Sequence, residues 1–585
     1  MDAPFPSPPA RLARRGLIAV VLAVVLFGTA AAPAGPAVPP GPGAAAEQGA
    51  PELDVVLPVL DCAELAGREL ELATGDTARL LRSQVVPASE TAAEHCKVSG
   101  VITPQHLFEV TLPTANWTQR YLQYGCGGFC GMAPGAFPIA SAGCEPLARG
   151  ELATAYGNGG HVAASATDGS WAVDRSLFED YAYESEHQLS LAASQVMEAF
   201  YGQEPQYRYF NSCSNGGRQA LVLSQRYPGD FDGIIAGAPA NITVPLVIFS
   251  LGWNSRANTA ADGSEIIAAT DLPTLHAGAL AACDELDGLV DGIITDPLDC
   301  SFDPATVQCA ADGDEGCLSA EQVEAARKIY QGALDEAGAP FYPGGGMPHG
   351  SELAWAGWIV QAGPDDGVPA SQAFASGWLR YMASLDPMVS LELEDLVFDT
   401  ETYQALREVD AVAAADDPDL GEFRDAGGKL IIWHGWNDPA IPAQGSMAYF
   451  EAVTEAMGGA DAVGEFARLY LVPGMYHCSG GDGPDQFDLL TPLMAWVEGG
   501  NAPEGVTASQ LDEDGTVTRT RPVFPYPQVP VYDGAGDPDD AASFSSAPEG
   551  QHHLTWASTF GSSGRAWCQL ENGNLVCSED IAPGG

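Results

Sequence analysis

The sequence predicts an α/β fold with a mostly parallel sheet. Short apolar runs that are typical of buried strands alternate with helical stretches, and several runs end directly in glycine-rich or polar loops. In the clearest case, the run at 207–211 leads through a small-residue corner into a helical stretch at 218–226, and a buried strand follows at 234–236. Functional groups on such a sheet collect where its strands end, so a site is expected in these loops.

Three further regions carry strand patterns. Residues 107–124 hold two strand-like runs around a turn, and the second run leads into a glycine-rich stretch at 125–131. The runs KLIIW at 429–433 and RLYLV at 468–472 each end in a polar loop. Between about 243 and 420 the alternation is lost, while Asp, Gly and Pro are abundant and four cysteines occur. That segment is predicted to be an inserted second domain.

Composition excludes several classes of protein. Of 585 residues, 24 are Lys or Arg and 78 are Asp or Glu, for a formal net charge of -54. The 46% of apolar residues exclude intrinsic disorder as the main state. So negative a chain repels nucleic acid and anionic membranes, and neither is expected as a partner.

The first residues have the pattern of a secretory signal, predicted at 1–34. Arg11, Arg14 and Arg15 precede an apolar run at 17–27, which is too short to span a bilayer and is followed by small-residue cleavage sites. An uncleaved anchor is the alternative, and the arginine pair leaves both the general and the twin-arginine export routes open. A Pro/Gly/Ala linker is predicted at 35–54, and the protein is expected to be extracellular or periplasmic.

An exported chain can keep disulfides, and this one has 13 cysteines. No C-x2-C occurs, and Cys126 with Cys130 forms a C-x3-C without a matching histidine pair, which argues against a structural zinc site. The residues alone do not give the connectivity. The odd total leaves at least one thiol unpaired, and we expect it among Cys126, Cys130 and Cys144.

Three loops carry candidate chemistry. The first, Ser212-Cys213-Ser214-Asn215-Gly216-Gly217, resembles a nucleophile elbow with Ser214 on a tight strand-to-helix corner, although Ser212 stands where a glycine is usual. An ordinary Ser/Gly turn is the alternative. Asp438 and His477 each follow a strand further along the chain, which gives the order Ser…Asp…His of α/β-hydrolases. His434 is a rival base, but it precedes the acid.

Cys213-Ser214-Asn215-Gly216-Gly217, Asp438 and His477-Cys478 together resemble the signature of the tannase/feruloyl esterase family. Further matches lie at 228–233, 236–239 and 524–537, and the resemblance covers about residues 55–545. It implies an α/β-hydrolase fold with a large inserted lid domain at 243–420, core parts at 55–242 and 421–545, and a tail at 546–585.

For activity, the resemblance implies ester hydrolysis with Ser214 as nucleophile, His477 as base and Asp438 as its orienter. The oxyanion-hole donors would be the backbone N–H groups of Asn215 and of Gly127, with Gly128 as the alternative.

An acidic loop is the candidate metal site. Asp284, Asp287 and Asp291 are spaced around glycines, and hard oxygen ligands on a short bent loop suit Ca2+, although the pattern is not an EF-hand. A solvated acidic turn is the alternative. The resemblance implies a structural calcium in the lid domain, bound by these three side chains and by the carbonyls of Leu289 and Ile293.

A disulfide between Cys213 and Cys478 is predicted from their positions beside Ser214 and His477. If those two residues touch, their neighbours lie within the roughly 4.4–6.8 Å Cα separation that a disulfide requires. With the resemblance, the remaining predicted pairs are Cys62–Cys96, Cys283–Cys300 and Cys309–Cys317. A cysteine pair common in the family is replaced here by Phe524 and Ser546, and Cys568–Cys577 is predicted as a substitute hairpin bridge.

The expected substrate is a small-molecule aromatic ester: a feruloyl or other hydroxycinnamoyl ester, a gallate, or a terephthalate monoester, cleaved through an acyl-enzyme. Trp378, Arg380, Tyr381 and Phe398 are candidates for lid residues at the acyl pocket. Two alternatives stay open, another α/β-hydrolase activity such as a peptidase or acyltransferase, and a non-catalytic calcium-stabilised binding module. No protein partner is implied, and no membrane association is expected after signal cleavage.

Overall fold

A computed structural model describes residues 49–89, 92–135, 139–311, 316–363, 366–548, 554, 567–571 and 574–578. The predicted signal, most of the predicted linker and much of the predicted tail lie outside these residues. Within them, no helix is both long and apolar enough to cross a membrane.

Sixteen strands are found in the described part of the chain. They are β1 (Glu69–Glu71), β2 (Thr77–Val86), β3 (His95–Ile102), β4 (His106–Pro113), β5 (Arg120–Tyr124), β6 (Leu152–Gly157), β7 (Tyr207–Cys213), β8 (Gly233–Gly237), β9 (Lys429–Gly435), β10 (Ala467–Val472), β11 (Val506–Leu511), β12 (Val517–Val523), β13 (Gln528–Tyr532), β14 (Phe544–Pro548), β15 (Trp567–Glu571) and β16 (Asn574–Ser578).

Fifteen α-helices accompany these strands in the same described residues. They are α1 (Glu145–Ala148), α2 (Arg175–Glu179), α3 (Ser185–Tyr201), α4 (Asn215–Arg226), α5 (Thr243–Leu246), α6 (Trp253–Ala257), α7 (Leu272–Cys283), α8 (Ala320–Gln331), α9 (Ala370–Tyr381), α10 (Thr400–Leu406), α11 (Asp410–Ala413), α12 (Gly421–Asp425), α13 (Gln444–Ala456), α14 (Ala460–Val463) and α15 (Leu490–Gly499).

One large sheet organises the fold, with the strand order β1-β2-β3-β4-β6-β5-β7-β8-β9-β10. From β6 to β10 all neighbours are parallel, whereas β1 to β4 and the β4–β6 pair are antiparallel. The α/β class is therefore confirmed, but the sheet is mixed rather than mostly parallel. Pairs β11–β12, β13–β14 and β15–β16 form three separate hairpin ladders.

The predicted strands β4, β5, β7, β8, β9 and β10 are confirmed. Every residue of β5 and of β8 is buried, as expected where helices cover both faces of a parallel sheet. Helix α4 begins at Asn215, earlier than the predicted 218, because Gly216 and Gly217 belong to its first turn. Strand β7 and helix α4 are thus separated by Ser214 alone.

The chain between β8 and β9 adds no strand to the large sheet in its described residues. It forms helices α5 to α12. The part around α6, α7 and α8 has a core of its own, which includes Leu275, Ile329 and Trp355, whereas α5 and α9 to α12 contribute to the main core. The disulfides Cys283–Cys300 and Cys309–Cys317 cross-link the chain between β8 and β9. The domain boundaries at 242/243 and 420/421 stay predictions.

Candidate active site

Ser214 lies on a sharp corner between β7 and α4. Its backbone has φ 65° and ψ −127°, a conformation that costs a non-glycine residue free energy and that marks candidate functional positions. The residues after Ser214 must be small because other atoms approach their backbone closely. A Cβ at Gly217 would overlap the Gly237 carbonyl oxygen, and a Cβ at Gly216 would overlap the Ser212 side chain. The nucleophile-elbow geometry is therefore present, although the first glycine of the usual motif is absent.

The structure brings Ser214, His477 and Asp438 together in one hydrogen-bonded chain. His477 Nε2 lies 3.0 Å from Ser214 Oγ, and His477 Nδ1 lies 2.7 Å from Asp438 Oδ2. Asp438 follows β9 and His477 follows β10, so each residue stands beyond the carboxyl end of a parallel strand, as predicted. The His477 side chain is 13% exposed, so the ring remains open to a ligand on one side.

Asp438 is fully buried, and its carboxylate accepts hydrogen bonds from backbone and side-chain donors. Its Oδ1 accepts hydrogen bonds from the N–H groups of Ala440 at 2.8 Å and Ile441 at 2.9 Å. Burial raises the pKa of this carboxyl, but the charges and hydrogen bonds of His477 and His434 outweigh burial and hold the pKa well below its usual range. Because an ionised carboxylate can only accept, the hydrogen of His477 sits on Nδ1. The Nε2 atom is then free to accept from Ser214.

His434, the rival base, has a different position. It is buried, with Nδ1 2.8 Å from Ser446 Oγ and Nε2 2.7 Å from the Ile441 carbonyl oxygen. Its Nε2 also lies 3.3 Å from Asp438 Oδ2. The ring therefore approaches the same carboxylate oxygen as His477, and in the described residues it has no hydrogen bond to Ser214.

Two backbone N–H groups, those of Asn215 and Gly127, are the predicted oxyanion-hole donors. The Asn215 N–H opens helix α4, where N–H groups have no partner inside the helix and where the helix dipole favours negative charge. In the described residues, neither it nor the Gly127 N–H donates to a protein acceptor. The loop bearing Gly127 adjoins the helix, because Asn215 Nδ2 donates to the Cys126 carbonyl at 3.2 Å. Gly127 is exposed, whereas Gly128 is packed against Ala166.

The disulfides agree with the predicted pairs where the side chains are described. Cys213 and Cys478 are bridged with a Cα–Cα distance of 6.1 Å, inside the predicted window. The other bridges in the described residues are Cys62–Cys96, Cys283–Cys300, Cys309–Cys317 and Cys126–Cys130.

The expected unpaired thiol is Cys144, and burial raises its pKa to about 12, which disfavours the reactive thiolate. Cys568 and Cys577 are opposite each other in the β15–β16 register, but their side chains lie outside the described residues. That predicted bridge stays a prediction.

The four lid residues predicted at the acyl pocket are not in contact with His477 in the described structure. Trp378 is buried against Phe129, with ring centroids 6.1 Å apart, and Arg380 pairs with Glu392 on the surface. Phe398 packs against Phe249 and Trp253. The remaining candidate, Tyr381, lies partly buried against the hydrophobic core.

The four candidates stay predictions, and a residue that the sequence did not single out is also close to His477. The ring of Trp358 meets the His477 ring edge to face, with centroids 5.3 Å apart and an interplanar angle of 80°. Phe374 stacks on Trp358 at 6.3 Å, and Phe129 of the glycine loop meets Phe374 at 5.1 Å. Trp358 and Phe374 are only half-buried. Aromatic side chains therefore run from the imidazole to the loop that carries Gly127.

The acidic loop has the donor chemistry of a calcium site. Burial raises the pKa of Asp287, and the negative charges of Asp291 and Asp284 raise it further, so three carboxylates repel one another on one short loop. That repulsion fits a bound cation. Arg521 supplies one positive charge, through an ion pair with Asp291. Asp284 accepts from the Gly292 N–H at 3.1 Å.

In the described residues, no group of three or more His, Cys, Asp or Glu side chains is arranged to hold a metal ion. The calcium ligands, including the carbonyls of Leu289 and Ile293, therefore stay a prediction.

Comparison with known proteins gives consistent matches. The sequence model of the family described as tannase and feruloyl esterase matches residues 90–547. Mono(2-hydroxyethyl) terephthalate hydrolase of Piscinibacter sakaiensis is 33% identical over 535 residues, which cover 79% of this chain and 86% of that protein. Feruloyl esterase B from Aspergillus oryzae superposes with a TM-score of 0.69 at 25% identity, over 80% of this chain and 97% of that chain.

Tannin acyl hydrolase from Aspergillus niger has a TM-score of 0.61 at 23% identity, over 81% of this chain and 90% of that chain, which shows likeness of fold alone. Together with the large mixed sheet and its flanking helices, these neighbours confirm the α/β-hydrolase fold.

Proposed function

Because the chain belongs to the tannase and feruloyl esterase family and is a carboxylic ester hydrolase, we propose that it cleaves esters of aromatic acids through an acyl-enzyme on Ser214. The observation that carries the proposal is the pair of hydrogen bonds made by His477, 3.0 Å to Ser214 Oγ and 2.7 Å to Asp438 Oδ2. Nucleophile, base and orienter are all within reach of one another, which is the requirement for this chemistry.

The reaction follows from the protonation states. His477 Nε2 accepts the hydroxyl proton as Ser214 Oγ attacks the ester carbonyl, and Asp438 stabilises the imidazolium that forms. The imidazolium then returns the proton to the leaving alcohol, and the acyl group stays on Ser214. A water molecule, deprotonated by the same nitrogen, hydrolyses the acyl-enzyme and releases the acid.

The oxyanion of each tetrahedral intermediate needs two donors that are already in place. The N–H groups of Asn215 and Gly127 are proposed for this role, since both are unoccupied by described protein acceptors. Removing one such donor typically costs about 3 kcal/mol of transition-state stabilisation.

An aromatic acid is favoured by the side chains around His477. Trp358 and Phe374 present half-buried rings between the imidazole and the glycine loop, and aromatic rings pair well edge to face or offset-stacked. Esters of hydroxycinnamic acids, of gallic acid and of terephthalic acid all carry a ring next to, or conjugated with, the scissile carbonyl. These three classes are the proposed substrates.

The Cys213–Cys478 bridge is proposed to position the nucleophile and the base. One cysteine precedes Ser214 and the other follows His477, so the bond links the two loops directly at the reacting atoms. Misplacement of reacting groups by about 1 Å can cost on the order of a hundredfold in rate, and a covalent link limits such movement.

We also propose a structural Ca2+ at the acidic loop, held by Asp284, Asp287 and Asp291 with the carbonyls of Leu289 and Ile293. The support is the repulsion that the charges of Asp291 and Asp284 exert on Asp287, on a loop closed by a disulfide. The ion would supply positive charge for folding and takes no part in the chemistry.

Export is proposed from the leader pattern and the disulfides. Disulfides persist in oxidising compartments, and the described residues contain bridges in the sheet region, at the site and in the inserted segment. Extracellular and periplasmic locations both meet this condition.

The test is turnover of methyl ferulate, methyl gallate and a terephthalate monoester by wild type and by Ser214→Ala. We expect at least one ester to be hydrolysed and its turnover to fall to near background in the variant. Ser301→Ala, which alters an exposed serine beyond the site, is the matched control and should keep full activity. Hydrolysis of a peptide in place of every ester would favour a peptidase. No turnover and no fluorophosphonate labelling would favour a binding module.

A further inference from the structure

We propose that the Cys126–Cys130 disulfide is a positioning element of the ester-hydrolysing site, holding the Gly127 N–H in register with Ser214. The inference rests on the proposed function. The bridge closes a five-residue ring, Cys126-Gly127-Gly128-Phe129-Cys130, directly after β5, with a Cα–Cα distance of 5.4 Å. The candidate donor is therefore inside the ring.

Helix α4 holds the backbone of Cys126 at both its N–H and its carbonyl, so the peptide groups before and after this residue are both fixed. Gln219 Oε1 accepts the Cys126 N–H at 3.0 Å, and Asn215 Nδ2 donates to the Cys126 carbonyl at 3.2 Å. Since the peptide group is planar and trans, fixing the Cys126 carbonyl fixes the direction of the Gly127 N–H on the opposite side. The same helix begins at the residue after Ser214, so nucleophile and donor are set by one rigid element.

Both clamping side chains are themselves buried and held. Gln219 Nε2 donates to Glu186 Oε1 at 3.0 Å, and Asn215 Oδ1 accepts from Tyr181 Oη at 3.0 Å and from Arg218 Nε at 2.8 Å. Gln219 is 3% exposed and Asn215 is 4% exposed. The side chains of Gln219 and Asn215 are therefore fixed and cannot follow a movement of the loop.

At the other end of the ring the covalent bond adds to backbone hydrogen bonds, from the Phe129 N–H to the Ala166 carbonyl at 2.7 Å and from the Gly131 N–H to the Asn158 carbonyl at 2.8 Å. Gly128 and Cys130 both have positive φ, 60° and 58°, and the Cys130 N–H closes a tight turn on the Gly127 carbonyl at 3.0 Å. A left-handed conformation is unfavourable for cysteine, and neighbouring glycines give the open chain many alternatives. The Sγ atom of Cys130 also accepts a hydrogen bond from Asn215 Nδ2 at 3.2 Å. With the disulfide intact, the tight turn, the Cys130 sulfur and the backbone of Cys126 are held together as one unit.

The test compares Cys126→Ala/Cys130→Ala with wild type. The matched control is Cys309→Ala/Cys317→Ala, which opens another short disulfide ring, in the inserted segment. Each variant is measured for kcat and KM on an aryl ester, for Tm, and for inhibition by phenylboronic acid, which forms a tetrahedral oxyanion-like adduct.

We expect the first variant to lose about tenfold to a hundredfold in kcat with KM changed less than threefold, and its Ki for phenylboronic acid to rise by a similar factor. The control is expected to lose Tm alone. Gln219→Met, which removes the acceptor for Cys126 at nearly constant volume, should reproduce the kcat loss. When Gln219→Met is combined with the two cysteine changes, the further loss in kcat should be smaller than the loss that Gln219→Met causes alone.

A folded Cys126→Ala/Cys130→Ala variant with kcat within twofold of wild type overturns the proposal, as does an equal kcat loss in the control. If the double variant fails to fold, a fully active Gln219→Met overturns it. Failure of the proposed function is distinct, because wild type would then hydrolyse none of the esters, or Ser214→Ala would keep its turnover, whatever the ring variants do.

Discussion

Replacing Asp438 by asparagine tests the electrostatics of the site with almost no change of shape. Asp438 Oδ1 accepts two backbone N–H groups, from Ala440 and Ile441, and Oδ2 accepts from His477 Nδ1. In Asp438→Asn the amide oxygen is needed by the two backbone donors. The amide NH2 group then faces His477 Nδ1, which must lose its hydrogen to accept.

The consequence is the wrong tautomer of the base. With the hydrogen on Nε2, His477 cannot take the proton of Ser214, although the two atoms remain within about 3.0 Å. The same replacement in the Ser-His-Asp template lowers kcat by about 10⁴, which corresponds to about 5 kcal/mol of transition-state stabilisation. We expect a loss of that order here, with KM little changed.

The assay is steady-state hydrolysis of an aryl ester between pH 6 and pH 10, with circular dichroism to verify folding. Asp54→Asn, at an exposed position, is the charge-matched control and should retain wild-type kcat. Activity of Asp438→Asn within tenfold of wild type, in a folded protein, would refute the assignment of Asp438 as the orienter of the base.

Four other outcomes are expected. Exhaustive chelation should lower the Tm of wild type, and added Ca2+ should restore it. The Tm of Asp287→Asn should respond to neither treatment, whereas Asp299→Asn should behave as wild type. A wild-type Tm that chelation leaves unchanged contradicts the calcium proposal. Burial and the charge of a neighbouring glutamate raise the pKa of Asp180 to about 8, so its contribution to stability falls as pH rises from about 4 to about 8. Asp180→Asn should therefore raise Tm at pH 9 and not at pH 5, and equal shifts at both pH values contradict this. Because the net charge is -54, Tm should rise as NaCl shortens the Debye length from about 30 Å at 0.01 M to about 3 Å at 1 M; a Tm that falls with salt contradicts it. Cys213→Ala/Cys478→Ala should reduce kcat more than it changes KM, and a fully active variant contradicts the positioning role.

The parts of the site that follow strands could be predicted from local sequence. Ser214 directly follows its strand, Asp438 and His477 stand in the loops that follow theirs, and parallel strands bring their carboxyl ends to one edge of the sheet. The Cys213–Cys478 bridge followed from the same placement, because neighbours of touching residues must themselves be close.

Residues placed by long-range packing could not be predicted in this way. Trp358 reaches His477 from the inserted segment, where neither helical nor strand periodicity marks it. In the antiparallel half of the sheet only β4 was predicted, and β1, β2 and β3 were missed, as was β6. In β6, the sequence LATAYG is rich in Ala and Gly, which are weak strand formers, and pairing with β4 and β5 decides its conformation.

Cysteine pairing near the glycine loop shows the same limit. Three cysteines, Cys126, Cys130 and Cys144, leave three possible bridges, and composition cannot choose among them. Cys130 adopts a left-handed backbone that brings its Sγ back to Cys126, while Cys144 is buried elsewhere in a second core cluster with Tyr124 and Leu152. That choice is made by the tertiary structure.

The central claim is that Ser214 carries the acyl group during ester hydrolysis. Acid quenching of the enzyme during turnover of methyl ferulate, or of whichever panel ester it hydrolyses, followed by peptide mass spectrometry, measures this directly. We expect the acyl mass on the peptide that contains Ser214 in wild type and in Ser301→Ala, and no acyl mass on that peptide in Ser214→Ala. An acyl group on any other residue, or sustained turnover by Ser214→Ala, would contradict it.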